Sequence, residues 1–554
     1  MNRNNERHFL QVPQMHTSRT RFNRDQTNLT TFNSGELIPF FVDEVLPGDT
    51  FQVDTSAIIR MTTPKYPVMD DAFIDFYYFY CPNRILWDNF KQFMGEVEKT
   101  PWMPTKTYKV PRIIIQGTET NAYPATNSIL DYMGVPTKIK KQFGVNALPI
   151  RAYVMIWNEF FRDQNVGNAA VFKTDDADVN YTDEQSLEAR LKNAITGGRC
   201  LPVNRFHDYF SSCLPYPQRG PEVTVPLTGN VPVGLYKDSN LEEFGTPSGN
   251  AGIYFTSGQR PGGILNSVTG TRDTVVLGSS DPTAYKEEVA YLGADLNAVS
   301  GVSIQDLRMA IALQHIFEAD ARNGTRYREF LSGTWGVTSP DSRLQIPEYI
   351  GGQRIAINVN QVVQTSQTDP TTGQALGNTA AYSLTTCSKE MVDYAATEYG
   401  YIIGLAVVRV EHSYQQGLAT KWTRGGRFTY YDPRLAALGE QPVYNREIYA
   451  QGTAEDNEIF GYQEAWADYR YKPSYVTGEM RSNYQTSLDA WHYADYYDKL
   501  PRLSAEWIQE GTQNIDRTIA VTSAKSHQFL CDFYFTEDWY REMPIYSIPG
   551  IERI

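Results

Sequence analysis

The chain has 554 residues, with 50 Lys and Arg against 64 Asp and Glu and a formal charge of −14. That length exceeds what one uninterrupted core usually organises, so several domains or one domain with large insertions is expected. The negative sign argues against holding nucleic acid through the overall field and leaves only a local or shared contact.

Met1–Gln14 is polar and broken by Glu6 and Arg7, which does not fit a secretory signal. The first clear element is Phe51–Met61. Phe51, Val53, Thr55, Ala57, Ile59 and Met61 alternate with Gln52, Asp54, Ser56, Ile58 and Arg60, the period of a half-buried strand. Leu46-Pro47-Gly48-Asp49 introduces it as a turn, and Pro64 and Pro67 stop it. Ala72–Cys81, Tyr399–Val410 and Phe529–Phe535 are nearly apolar on both faces, as strands covered on both sides are. Arg354–Gln364 alternates again.

Two segments carry helical spacing. Leu148–Asp163 places Ile150, Tyr153, Val154, Trp157, Phe160 and Phe161 on one broad aromatic face. Ser303–Arg322 starts with the capping-box spacing of Ser303 and Asp306, gathers Leu307, Ala310, Ile311 and Phe317 on one face, and stops at Asn323-Gly324. Glu318 and Arg322 stand in i,i+4 relation. Strands near both ends and in the later middle, with helices and long loops between, predict an antiparallel β domain with insertions rather than an α/β enzyme.

Gly220–Gly301 differs in composition. It holds 13 of the 40 glycines but only six aromatics, in a chain with 37 Tyr, 26 Phe and 9 Trp. Gly252–Ser257 and Thr274–Leu277 are candidate short strands, so an ordered surface excursion is expected in place of a linker. The aromatic load elsewhere implies large packed contacts.

The chemistry-bearing motifs are sparse. No phosphate-binding loop, dinucleotide fingerprint, H-E-x-x-H or G-x-S-x-G elbow occurs. Cys81, Cys200, Cys213, Cys387 and Cys531 are far apart and form no Cys-x-x-Cys pair, which argues against disulfides or zinc and for a reducing compartment. Cys200, His207, Asp208 and Cys213 make the nearest approach to a metal cluster, and a turn held by hydrogen bonds of the His and Asp is the preferred reading. Glu318 and Asp320 point apart on a helix, so they cannot flank one bond. No cofactor and no catalytic residue is expected. The charge-free Tyr399–Val408 run is well short of the ~18 residues of a membrane span, so no membrane insertion is expected.

Basic residues cluster at the start, where Arg3, Arg7, Arg19, Arg21 and Arg24 outweigh Glu6 and Asp25. Interleaved with Phe9 and Phe22, they suit a single-strand binder, with Arg on phosphate and rings under bases; a solvated or subunit-bridging arm fits the same residues. Arg322, Arg326 and Arg328 form a second group, with ion pairing to Glu318, Asp320 or Glu329 expected.

Several of these segments resemble one family. Leu37–Thr50 (LIPFFVDEVLPGDT), Cys81–Glu96 (CPNRILWDNFKQFMGE), Asn158–Asn165 (NEFFRDQN), His207–Pro221 (HDYFSSCLPYPQRGP), Asp320–Tyr327 (DARNGTRY) and Phe460–Pro473 (FGYQEAWADYRYKP) are similar, in order, to the major capsid protein of gokushoviruses, small bacteriophages of the microvirus group. The resemblance runs from about Arg21 to the C-terminus. It implies a mainly β protein, an eight-stranded antiparallel jelly roll with long helical and loop insertions. Sixty copies would form a T=1 icosahedral shell around circular single-stranded DNA. It further implies a small basic DNA-packaging protein, an internal scaffolding protein, a minor pilot protein and a host surface receptor as partners, with assembly in the bacterial cytoplasm and the virion as destination.

On that reading residues 1–30 are a basic arm and 31–219 the first part of the jelly roll. Residues 220–301 are a variable insertion protruding at each threefold axis, and 302–554 are the remainder. Arg19, Arg21 and Arg24 are the candidate DNA contacts, and Tyr254 and Phe255 the candidate host-facing residues. The competing expectation is a carbohydrate-binding or carbohydrate-active protein on a β scaffold, which would need paired carboxylates to converge from distant segments.

Overall fold

The computed structural model describes residues 18–97, 106–117, 123–224, 304–363, 365, 377 and 379–546, with the backbone of four short strands between 233 and 294. Met1–Pro217 with Asp320–Ile554 is one compact unit and Gln218–Ala319 another. Ser303 and the arginines Arg3 and Arg7 lie outside the described residues.

Nine strands, numbered among themselves, build the centre of the larger unit. They are β1 (Thr20–Asn23), β2 (Gln26–Phe32), β3 (Ile38–Val45), β4 (Thr50–Met61), β5 (Ala72–Pro82), β6 (Glu348–Ala356), β7 (Thr385–Ala395), β8 (Gly400–Val410) and β9 (Phe529–Arg541). In the first sheet β1 and β2 both pair with β9, and the order continues β9, β4, β7. The second runs β6, β5, β8, β3. Every pairing in both sheets is antiparallel. The chain therefore changes sheet at β2 to β3, β3 to β4, β4 to β5, β6 to β7, β7 to β8 and β8 to β9.

The alternation in β4 does what its period predicts. Phe51, Val53, Thr55, Ala57, Ile59 and Met61 are buried, and their alternates are half-buried or exposed. Across the sandwich Phe40 of β3 meets Phe533 and Phe535 of β9 at ring-centroid distances of 4.9 and 5.7 Å, and within its own sheet it meets Phe76 of β5 at 5.4 Å. Thr55, a buried polar group that would otherwise be costly, is satisfied by the Tyr78 hydroxyl at 2.6 Å.

Gly404 in β8 sits at a register shift against β3. A Cβ there would lie 2.8 Å from Tyr78 and 2.9 Å from Phe41, so the aromatic layer closes only over a residue without a side chain. The predicted turn before β4 has Gly48 at φ +85°. Asp49 closes that turn, accepting from the Leu46 amide at 2.9 Å and from Arg541 Nε at 2.9 Å.

The second sheet is covered on its other face too, which explains why β5 and β8 read as apolar on both sides. Helix α1 (Leu148–Ile156) packs there, and Tyr153 donates to the Leu37 carbonyl at 2.9 Å. The predicted helix over Leu148–Asp163 changes to a π turn at Trp157–Phe161. That extra residue re-aims Phe160 and Phe161 onto Phe79, at 4.7 and 6.2 Å. The single strand expected over Arg354–Gln364 is two pieces. β6 ends at Ala356, and Val359–Val363 pairs with Thr379–Ser383 as a separate ribbon.

In the smaller unit Gly252–Phe255 pairs with Val275–Gly278, as the composition of that segment suggests, and Val233–Tyr236 pairs with Tyr291–Ala294. Helix α2 (Ile304–Asn323) has no buried residue. Helix α3 (Tyr327–Trp335), in the larger unit, begins with the Glu329 carboxylate accepting from the Arg326 amide at 3.1 Å and also has none.

Candidate assembly surface and nucleic-acid interface

The three arginines expected to touch DNA are gathered along β1 and β9, and each is engaged within the chain. Arg21 grips Asp538 with two hydrogen bonds of 2.8 and 2.6 Å. Arg24 pairs with Asp43 at 2.6 Å and lies over the Trp539 ring. Arg19 donates to the Gly48 carbonyl at 2.7 Å and the Thr50 hydroxyl at 2.9 Å, both neutral. Of the three it keeps the most uncompensated charge. Tyr254 and Phe255 fall on the paired strand Gly252–Phe255, opposite Val276 and Val275; their side chains lie outside the described residues.

The face of β5 turned away from the sandwich carries a charged centre. Asp75 is buried and receives Arg354 from β6 at 2.6 Å, Arg409 from β8, and the Tyr77 hydroxyl at 3.2 Å. Both guanidinium groups sit 4.3 Å from the centroid of the Phe206 ring. The face opens into a cleft of about 1720 Å³. Carboxylates do converge there from distant segments, and three of them are partners of arginine: Glu329 with Arg326 at 3.3 Å, Glu464 with Arg470 at 2.7 Å, and Glu440 with Arg322. Arg322 thus pairs with Glu440 and not with Glu318. Arg328 lies over Phe160 and donates to the Glu159 carbonyl at 2.8 Å.

Beside the cleft is a buried network that no spacing in the sequence announces. His412 Nδ1 is 2.9 Å from Asp495 and its Nε2 is 3.0 Å from Glu510. Arg205 donates to Asp495 at 2.8 Å, and Asn514 does so at 2.7 Å. Burial disfavours the imidazolium, but the two carboxylates outweigh burial and lift His412 to about 9. The same cations hold Asp495 far below the usual carboxylate range despite burial.

The Cys200, His207, Asp208, Cys213 segment forms a turn. Asp208 accepts from the amides of Phe210 and Ser211 at 3.0 and 2.7 Å and from the Tyr414 hydroxyl. His207 is exposed and takes no part in it, a correction to the expected role of that side chain. Among the described residues no group of three His, Cys, Asp or Glu is placed to hold a metal ion. All five cysteines are free, and burial pushes the Cys81 and Cys213 thiols up.

Large apolar side chains are left in water. Ile304 is 70% exposed, Trp335 69% and Tyr546 79%, and Met309, Ile311 and Ile316 of α2 are exposed with them. A monomer rarely leaves such side chains uncovered in numbers, because contiguous apolar patches beyond a few hundred Å² associate. Two facing antiparallel sheets and apolar surfaces without cover are what a structural protein that packs against other chains presents.

Comparison with known proteins identifies the kind. The family model described as capsid protein (F protein) matches residues 10–551. Capsid protein VP1 of Chlamydia phage 1 is 39% identical, over 99% of this chain and 98% of its own length. Capsid protein VP1 of Bdellovibrio phage phiMH2K is 38% identical over the same shares. Capsid protein VP1 of Spiroplasma virus 4 is 39% identical over 97% of this chain and 96% of its own. The chain belongs to the phage F capsid protein family, as its gokushovirus-like segments lead one to expect. It is a structural capsid protein of the virion, and among its described residues no helix is long and apolar enough to cross a membrane.

Proposed function

We propose that the chain is the building unit of a T=1 icosahedral shell of sixty copies around circular single-stranded DNA, and that β2 to β9 are the eight strands of a viral jelly roll. The strand order supports the fold: β2, β9, β4, β7 face β6, β5, β8, β3, an arrangement of two antiparallel four-stranded layers in which every connection except β5 to β6 crosses from one layer to the other. β1 is then a short N-terminal addition.

The observation that carries the assembly reading is the apolar surface of α2 and α3, helices with no buried residue in the isolated chain. Copies of the chain would cover it, since obligate contacts of more than about 2,000 Å² are common in such assemblies. A charge of −14 per copy cannot neutralise packaged phosphate. The small basic packaging protein is therefore assigned that task, with Arg19, Arg21 and Arg24 giving at most a local contact. The scaffolding and pilot proteins, and assembly in the host cytoplasm, complete the reading. Gly220–Gly301, with Tyr254 and Phe255, is assigned to a threefold protrusion that meets a host receptor through three weak contacts acting together. Sedimentation of the native material tests the assembly reading: the expected species is a particle of sixty chains, and a folded monomer that never enters a larger particle in the presence of its partner proteins refutes it.

A further inference from the structure

Between β8 and β9 the chain runs through Lys421-Trp422-Thr423-Arg424-Gly425-Gly426-Arg427-Phe428-Thr429-Tyr430-Tyr431. The segment is ordered by its own short turns. Trp422 donates its amide to the Ala419 carbonyl, and the Thr429 hydroxyl and amide both return to the Gly426 carbonyl, the hydroxyl at 2.7 Å. It is anchored where the Thr420 hydroxyl meets Glu447 at 2.8 Å and Arg424 pairs with Asp468. Two of its rings are open to solvent: Trp422 is 73% exposed and Phe428 76% exposed. Lys421 Nζ lies 5.2 Å from the Trp422 ring centroid, and the Arg427 guanidinium lies 5.8 Å from that of Phe428.

Arg424 and Arg434 have carboxylate partners in Asp468 and Asp432. Lys421 and Arg427 have none among the described residues. The patch therefore presents two rings, each with a cation beside it whose charge is not neutralised, on a chain whose net charge is negative.

We propose that Lys421, Trp422, Arg427 and Phe428 form a contact for single-stranded nucleic acid. Each cation takes a phosphate and each exposed ring takes the face of an unstacked base. A polyanion is favoured over an acidic protein surface because cation and ring alternate along the chain, which matches the alternation of phosphate and base. A duplex is disfavoured because its bases are stacked and their faces hidden. The anchoring hydrogen bonds hold the turns in place before binding, so little ordering cost remains. The inference rests on the reading that the chain encloses single-stranded DNA, and it moves the main coat contact from the N-terminal arginines to this turn.

The test uses the purified full-length protein, fluorescence anisotropy with labelled oligothymidylate, and a salt series. Trp422→Ala with Phe428→Ala is expected to weaken binding roughly 5- to 150-fold for each stacking ring removed. Lys421→Gln with Arg427→Gln is expected to lower the slope of log affinity against log salt by about 1.4, since each single-strand phosphate neutralised contributes about 0.7. Lys421→Arg with Arg427→Lys should restore the slope. All four side chains are exposed, so near-ultraviolet circular dichroism should match the parent, and the charge variant still decides the matter if the aromatic variant folds poorly.

Variants that bind as the parent does overturn the assignment while leaving DNA enclosure intact. A parent that holds no oligothymidylate overturns the assignment and any coat contact with DNA, and sedimentation still reports separately on the shell. Equal affinity for the duplex overturns the stacking role. Unchanged binding with failed assembly overturns the proposal in favour of a contact between copies.

Discussion

His412 lies between Asp495 and Glu510 with Arg205 on the far side of Asp495, so its charge state is tied to folding. Its imidazole is raised from 6.5 to about 9. A raised folded-state value means the stabilisation is complete below about pH 6.5, falls as pH rises, and is gone above about pH 9. Denaturant titrations from pH 6 to pH 10 should therefore lose up to about 3 kcal/mol, a loss that His412→Gln removes. Asp495 is held far below the usual carboxylate range, so its contribution is present at neutral pH and is lost progressively as pH falls below about 4, where the unfolded carboxylate takes up a proton first. Asp75 offers a second residue-level test. It is buried and shared by two arginines, and Asp75→Ala should cost about 3–5 kcal/mol in denaturant midpoint experiments, because the largely buried Arg409 loses its partner, while the half-exposed Arg354 adds little.

The two sheets meet through a few aromatic rings, and the strands supply those rings from segments distant in the chain. Phe40 touches Phe76, Tyr78, Phe533 and Phe535. Phe40→Ala is expected to cost about 3–5 kcal/mol through reduced burial and the cavity left behind. Gly404→Ala should cost about 1–3 kcal/mol by overpacking, even though it adds only a methyl group. Thermal and denaturant unfolding measure both, and a neutral Gly404→Ala would show that Tyr78 and Phe41 can move apart. β1 behaves differently. It is short and joined to β9 by the exposed Arg21 and Asp538 pair, and exposed pairs contribute little. Arg21→Ala should leave the unfolding midpoint in place.

Gln218–Ala319 is a unit compact in itself, and its two ribbons are nested in the sequence, 233–236 pairing with 291–294 and, inside that span, 252–255 with 275–278. A Gly-Ser bridge in place of residues 225–300 should leave the unfolding midpoint of the larger unit unchanged, because the strands of its sandwich all come from outside that range. If the segment is the host-facing device, such particles assemble and fail to adsorb. Particles that adsorb at the parental rate would place receptor binding elsewhere, and failure to form particles would make the segment a structural one.

Local patterns were enough for β4, β5, β8 and the first half of β9, while β1, β2, β3 and β7 were not among the expected strands. β4 announces itself by period two, β5 and β8 by apolar runs, and the turn at Leu46–Asp49 by Pro and Gly, because each depends on neighbours a few residues away. The aromatic surplus pointed to contacts beyond one chain for a similar reason: composition is summed over the whole sequence and needs no coordinates. What the sequence left open is everything set by distant partners. The N-terminal arginines look free in the sequence and are met by Asp538 and Asp43 in the fold. Arg322 looks paired with Glu318 and reaches Glu440 instead. Lys421 and Arg427 look like any other surface cations until the fold leaves them beside open rings with no carboxylate. Charge pairing, like the meeting of Arg205, His412, Asp495 and Glu510, is decided by which strands and loops the tertiary structure brings within 3 Å, and hydrophobic periodicity carries no information about that.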